Sequence, residues 1–177
     1  IYIIQTAGFQ KRLGTGLNKK DNNFMKLVAE VDQGEVFSHW EKVEKITITQ
    51  RIDIVFPLIT YTSLKWYKAT IDDEDISKIY IISSDDWRVD GLCQKDFKLT
   101  SAIAAYKQNT KSSGKYADIQ KKQQIYESDI NGLDTKLVIV SPNQIGPFTI
   151  IEGNKRSVAL LSANKFIGLN IYLGLSP

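Results

Sequence analysis

Residues 146–161 read GPFTIIEGNKRSVALL, and this stretch decides the fold that we expect for the chain. Phe148 opens a short run of aromatic and β-branched residues, 148–151, of the kind that forms a buried strand. Gly153 interrupts the run, and apolar residues then recur at helical spacing over residues 157–166. The stretch therefore predicts a strand, a glycine turn and a helix.

Polar residues are concentrated at the predicted junction between strand and helix. The first N–H groups of a helix have no carbonyl partner within the helix, and the helix dipole favours an anion beside them. Lys155 and Arg156 add full positive charge there, and arginine can bind a phosphate through two parallel hydrogen bonds. The alternative is that both side chains are only solvated at a helix start. The junction predicts a phosphate-binding corner made by Gly153, Asn154, Lys155, Arg156 and Ser157, with the carboxylate of Glu152 beside it.

The same residues resemble the motif of the ParB/sulfiredoxin-like superfamily, in which a strand precedes an acidic residue, a glycine, a basic pair and a helix. Here the motif is Glu152-Gly153-Asn154-Lys155-Arg156, and residues 169–173 match the closing strand. Upstream, residues 119–130 match the preceding helix and residues 136–140 the preceding strand, so the resemblance covers about residues 119–173. It implies an α/β (α+β) fold with a mixed sheet and flanking helices. We assign residues 45–177 to this domain and residues 1–44 to a mainly helical N-terminal extension.

The resemblance also implies a function. It suggests a ligand that is a nucleotide or carries phosphate, such as a nucleoside triphosphate with Mg²⁺, in a phosphotransferase, NTPase or nuclease of DNA processing or defence. Glu152 would then be the catalytic residue, acting as a base or as a Mg²⁺ ligand. Sulfiredoxin itself needs a cysteine where this chain has Asn154, and the one cysteine, Cys93, is distant in sequence, which argues against cysteine-sulfinate reduction. A non-catalytic protein- or DNA-interaction module on the same fold is the alternative, and a second carboxylate near Glu152 would favour catalysis.

The composition of the chain argues against several other classes of protein. The 177 residues carry a net charge of +3 from 23 basic and 20 acidic residues, which is too small for a strongly basic field. One histidine and one cysteine provide no ligand set for structural zinc, and a single cysteine cannot form an internal disulfide. Without an internal disulfide, a reducing cytoplasm is the expected compartment. No stretch has the length and apolarity of a membrane-spanning helix, so we expect no membrane contact.

The rest of the chain predicts further elements. We expect helices over residues 22–43 (broken near Gly34) and 97–108, strands over 45–55, 60–71 and 79–82, and a short helix or turn over 72–77. The three tryptophans, Trp40, Trp66 and Trp87, are interpreted as core residues rather than as a base-stacking platform. The lysines of residues 107–122 are interpreted as a solvated face. They would give weak, nonspecific contacts to nucleic acid and no sequence-specific duplex binding.

Overall fold

The computed structural model describes residues 24–45, 64–93, 95–109 and 113–177. Within these ranges the strands are β1 (Lys26–Val31), β2 (Lys65–Thr70), β3 (Ile79–Ile81), β4 (Val138–Ser141), β5 (Phe148–Glu152) and β6 (Asn170–Leu175). The helices are α1 (Gln33–Glu44), α2 (Asp85–Val89), α3 (Leu99–Gln108), α4 (Lys115–Ser128) and α5 (Asn154–Ser162), with a 3₁₀ helix at Asp73–Lys78.

The six described strands form one mixed sheet in the order β1-β2-β6-β4-β5-β3. Strand β4 is parallel to β6 and antiparallel to β5, and β3 is parallel to β5. Val138 at the start of β4 is paired both with Glu152 at the end of β5 and with Tyr172 of β6. The end of β5 therefore lies beside the start of β4, within the body of the sheet.

Both faces of the sheet are covered. Since side chains alternate between the two faces of a strand, neighbouring residues of one strand contribute to different cores. On one face, buried residues of α3, α4 and α5 form the larger core with residues such as Phe148 and Ile150. On the other face, Trp40 of α1 packs with Trp66, Ile151 and other residues of a smaller core. The described residues therefore form an α/β structure with helices flanking a mixed sheet, which confirms the prediction at that level.

Most predicted elements in the described residues are present. The helix predicted over residues 97–108 is α3, the short helix over 72–77 is the 3₁₀ helix, and the strands over 79–82, 136–140, 148–151 and 169–173 are β3, β4, β5 and β6. Helices α4 and α5 begin four and three residues earlier than predicted, at Lys115 and Asn154. Helix α2 was not predicted as a helix. The predicted strand over residues 45–55 lies outside the described residues except for Lys45, as does the start of the one over 60–71.

The prediction for residues 22–43 is wrong in its first part. Residues 26–31 are strand β1, and only the helix from Gln33 agrees with the prediction. Asp32 separates the two elements, since its side chain accepts a hydrogen bond from Gly34 N at 2.7 Å and caps α1. Because β1 pairs with β2, the described part of the predicted N-terminal extension belongs to the same sheet as the rest of the chain.

Candidate functional site

The strand–glycine–helix corner has the predicted form. Gly153 has φ 91° and ψ 21°, in the left-handed region, and it is the N-cap of α5. A Cβ at this position would lie 2.5 Å from Cδ2 of Leu137, so both the conformation and the space require glycine. Ser157 N donates to Gly153 O at 2.8 Å and closes the first turn of α5.

Glu152 and Arg156 form a buried ion pair at this corner. They are 3% and 8% exposed, and Arg156 lies four residues after Glu152. Arg156 Nη1 is 3.3 Å from Glu152 Oε2, Nη2 is 3.4 Å from Oε1, and Nη1 also donates to the carbonyl of Lys136. The alternative interpretation of Arg156, a side chain that is only solvated at a helix start, is therefore wrong. Arg156 lies in the first turn of α5, and its guanidinium contacts the backbone two residues before β4, which connects the helix to the sheet.

The side chains of Asn154 and Ser157 also form hydrogen bonds within the protein. Asn154 Oδ1 accepts a hydrogen bond from Ile82 N at 3.0 Å, which fixes the end of β3 to the start of α5. Ser157 is fully buried, and its hydroxyl donates to Asn154 O at 2.8 Å. These two predicted binding residues shape the corner, and their side-chain atoms already have protein partners.

Lys155 is the predicted site residue whose charge is most accessible. Its Nζ lies 2.6 Å from Asp118 Oδ2 of α4, and the two side chains are 41% and 55% exposed. The hydrogen bond from Lys155 lowers the pKa of Asp118. Such an exposed pair contributes little to stability, so a stronger anion could replace Asp118 at small cost.

A cavity of about 670 Å³ opens in front of the corner. One part of its wall is apolar and comes from α1 and the ends of β3 and β5, whereas the other part is charged and comes from α2, α4 and the start of α5. Five of the six predicted site residues line it, and Ser157 does not. The lining residues are Trp40, Val43, Ile82, Ser84, Asp86, Trp87, Lys115, Lys122, Ile151, Glu152, Gly153, Asn154, Lys155 and Arg156.

Two lining lysines were missed because the whole stretch 107–122 was interpreted as a solvated face. Lys115 Nζ lies 2.8 Å from both Asp86 Oδ2 and Asp90 Oδ2, and 5.7 Å from the centre of the Trp87 ring. Burial opposes the charge of Lys115, but the hydrogen bonds to both carboxylates raise its pKa overall. Lys122 is half-buried, and it makes no ion pair or hydrogen bond with any residue that the structure describes.

The three tryptophans are 2–3% exposed, which confirms that they are core residues. Trp40 nevertheless borders the cavity, and its indole Nε1 finds no acceptor among the described residues. His39, its neighbour on α1, places Nδ1 3.5 Å from Asp134 Oδ2, while Nε2 is buried and also lacks a partner in the described ranges. Burial lowers the pKa of His39 more than Asp134 raises it.

A second carboxylate, Asp86, lines the same cavity as Glu152. It accepts a hydrogen bond from Ser84 and pairs with Lys115. Burial raises the pKa of Asp86, but these hydrogen bonds lower it more. Within residues 24–45, 64–93, 95–109 and 113–177 no group of three or more His, Cys, Asp or Glu side chains is arranged to hold a metal ion.

None of the helices in the described ranges combines the length and apolarity that crossing a membrane requires. Comparison of the chain with models of known protein families, with curated proteins and with solved structures finds no match.

Proposed function

We propose that this chain binds a nucleotide or another phosphate-bearing ligand in the cavity in front of Gly153. The observation that carries the proposal is the composition of the cavity wall. Four basic side chains, Lys115, Lys122, Lys155 and Arg156, and the start of a nine-residue helix lie on one cavity of about 670 Å³. Two acidic side chains, Asp86 and Glu152, lie on the same wall, so its basic side chains outnumber the acidic ones by four to two. Asp90 and Asp118 pair with Lys115 and Lys155 from outside the lining, so an anionic ligand would compete with them.

The size and the two-sided wall support a nucleotide over a small inorganic ion. Ligand pockets of drug-sized molecules have volumes of about 300–1,000 Å³, a range that includes this cavity. Here the apolar wall of Trp40, Val43, Ile82 and Ile151 offers a surface for a base or sugar. The charged wall offers lysines and helix N–H groups for the phosphates.

A catalytic role for Glu152 is a separate part of the proposal. Its carboxylate is almost fully buried and accepts hydrogen bonds from Arg156, which are the contacts of a group that holds the corner together. This favours binding without turnover, the non-catalytic module, over phosphoryl transfer. Turnover would instead have to use the more exposed Asp86 or a Glu152 released from Arg156.

The test is a thermal-shift titration of the full chain with inorganic phosphate, tripolyphosphate and the four ribonucleoside triphosphates, each with and without Mg²⁺. A ligand at about 100 times its Kd stabilises the folded state by about 2.7 kcal/mol. For a chain of this length that corresponds to a rise in Tm of about 5–11 °C. Sodium chloride at matched ionic strength is the control for general salt effects. Shifts no larger than the chloride shift for every ligand would contradict the proposal.

Product analysis of the same mixtures separates binding from chemistry. Release of phosphate or diphosphate from the bound nucleotide would show that the domain is an enzyme, and a Tm rise without any product would support the binding module.

A further inference from the structure

Lys122 occupies an unusual place on α4. It lies three residues after Ile119 and four before Tyr126, so that it shares the helix face of two buried residues. This face packs toward the larger core and toward α5. Lys121, one residue earlier, is exposed and does not line the cavity. A lysine on the inner stripe of a helix is unusual, because desolvation opposes its charge.

The other basic residues of the cavity are each held by a carboxylate. Lys115 is held by Asp86 and Asp90, and Arg156 by Glu152. Lys155 is held by Asp118, one helical turn before Lys122 on α4. Among the described residues, Lys122 alone of the cavity's basic side chains forms no ion pair or hydrogen bond with a carboxylate, although its charge and that of Lys121 contribute to the lowered pKa of Asp118.

The hydrogen bond from Lys155 and the charges of both Lys155 and Lys122 lower the pKa of Asp118. Asp118 contacts Lys155 directly, and residues four apart on a helix, such as Asp118 and Lys122, are surface neighbours. A phosphate group has three terminal oxygens and a charge of about −2, so it could accept hydrogen bonds from both amines, whereas the carboxylate of Asp118 is bonded to Lys155.

We propose that Lys122 and Lys155 together bind a phosphate group of the ligand, and that Asp118 holds Lys155 in place until this phosphate displaces it. The inference rests on the proposed function and adds the residues that recognise the phosphate. It assigns the main contact with the ligand to a lysine of α4 rather than to Arg156, because Arg156 is already bonded to Glu152 and to the carbonyl of Lys136.

The test compares matched variants of the full chain by isothermal titration calorimetry. The probes are tripolyphosphate and the nucleotide that gives the largest thermal shift. Lys122→Met should weaken both probes by about tenfold or more, because a charge-assisted contact is lost. Lys121→Met, which removes the same charge from the outer face of the same helix, should stay within about twofold. The Tm of each variant, measured without ligand, shows that the fold is retained.

Asp118→Asn tests the displacement. Removing the competing carboxylate should tighten both probes by about threefold to tenfold, whereas Glu127→Gln, an exposed charge further along α4, should change them by less than twofold. Weaker binding in Asp118→Asn would overturn the displacement, since Asp118 would then position Lys155 for the ligand.

The outcomes separate the two proposals. If the wild-type chain binds neither probe, the proposed function fails and this inference fails with it. If the wild type binds and Lys122→Met binds equally well, or no worse than Lys121→Met, the proposed function stands and the role of Lys122 is wrong. Loss of nucleotide affinity with unchanged tripolyphosphate affinity would also overturn it, because Lys122 would then contact the base or sugar.

Discussion

Substitution of Arg156 by methionine tests the central structural finding at the corner. The change keeps much of the apolar stem and removes the guanidinium from beside a carboxylate that is 3% exposed. Breaking a buried ion pair by removing one partner costs about 3–5 kcal/mol, since the remaining charge stays buried. The lost hydrogen bond to the carbonyl of Lys136 acts in the same direction. For 150–250 residues, about 2–4 °C in Tm corresponds to 1 kcal/mol, so we expect Tm to fall by about 6–20 °C.

The assay is urea unfolding followed by tryptophan fluorescence, with Tm as a second measure. Lys155→Met is the matched control, because its pair with Asp118 is exposed and its loss should cost less than about 1 kcal/mol. Glu152→Gln should also destabilise, and the double variant Glu152→Gln/Arg156→Met should lose less stability than the two single losses added together. A loss below about 1 kcal/mol in Arg156→Met, or equal losses in Arg156→Met and Lys155→Met, would refute the assignment of Arg156 as a structural residue.

Two further predictions concern the pH dependence of stability and the glycine of the corner. His39 is the one histidine of the chain and burial lowers its pKa, so its contribution is fully present above the ordinary value of 6.5 and is lost as pH falls through the lowered one. Tm should therefore fall between about pH 7 and pH 5 more steeply in the wild type than in His39→Gln, and parallel Tm profiles would contradict this. Gly153→Ala should destabilise by about 1–3 kcal/mol from its positive φ, and by more because of the contact with Leu137. Gly132→Ala, with φ 74° and open space around the Cβ, controls for the backbone strain alone, and an equal Tm loss in both variants would show that the contact costs nothing.

The elements that could be predicted from the sequence are those whose pattern is local. Strands β4, β5 and β6 are short apolar runs bounded by turn residues, and the 3.6-residue period marks α3. Helix α4 lacks a clear apolar period and was expected from the family resemblance instead. Strand β1 could not be recognised in this way, because its apolar spacing also fits a helix. Its conformation is decided by pairing with β2, about 40 residues later, where Lys26 faces Thr70. Tertiary pairing therefore overrode local periodicity, as β propensity depends strongly on context.

The candidate site likewise contains residues whose roles could be predicted from local sequence and residues whose roles could not. Gly153 was predictable because the turn needs a left-handed residue, a requirement that is visible in the strand–glycine–helix pattern. The burial of Arg156 depends on the Lys136 carbonyl, 20 residues earlier, and on how α5 packs against β4, so no local pattern could give it. Lys122 did leave a signal, because its spacing from Ile119 and Tyr126 places it on the inner face of α4. The helical position of Lys122, rather than the run of charge to which it belongs, predicts its place beside the cavity.

The distribution of these charges makes the cavity suited to an exchangeable ligand. The buried pair of Glu152 with Arg156 is neutral as a whole and fixes the corner. The pair Lys155–Asp118, by contrast, is exposed on both sides, so its interaction is weak and screened by salt. Under the proposed function, an incoming phosphate would compete with a weak contact while the shape of the corner stays fixed, because the residues that hold the shape are separate from those proposed to contact the ligand. Binding that relies on Lys122 and Lys155 should accordingly weaken with rising ionic strength, whereas the stability of the corner should depend on salt only slightly.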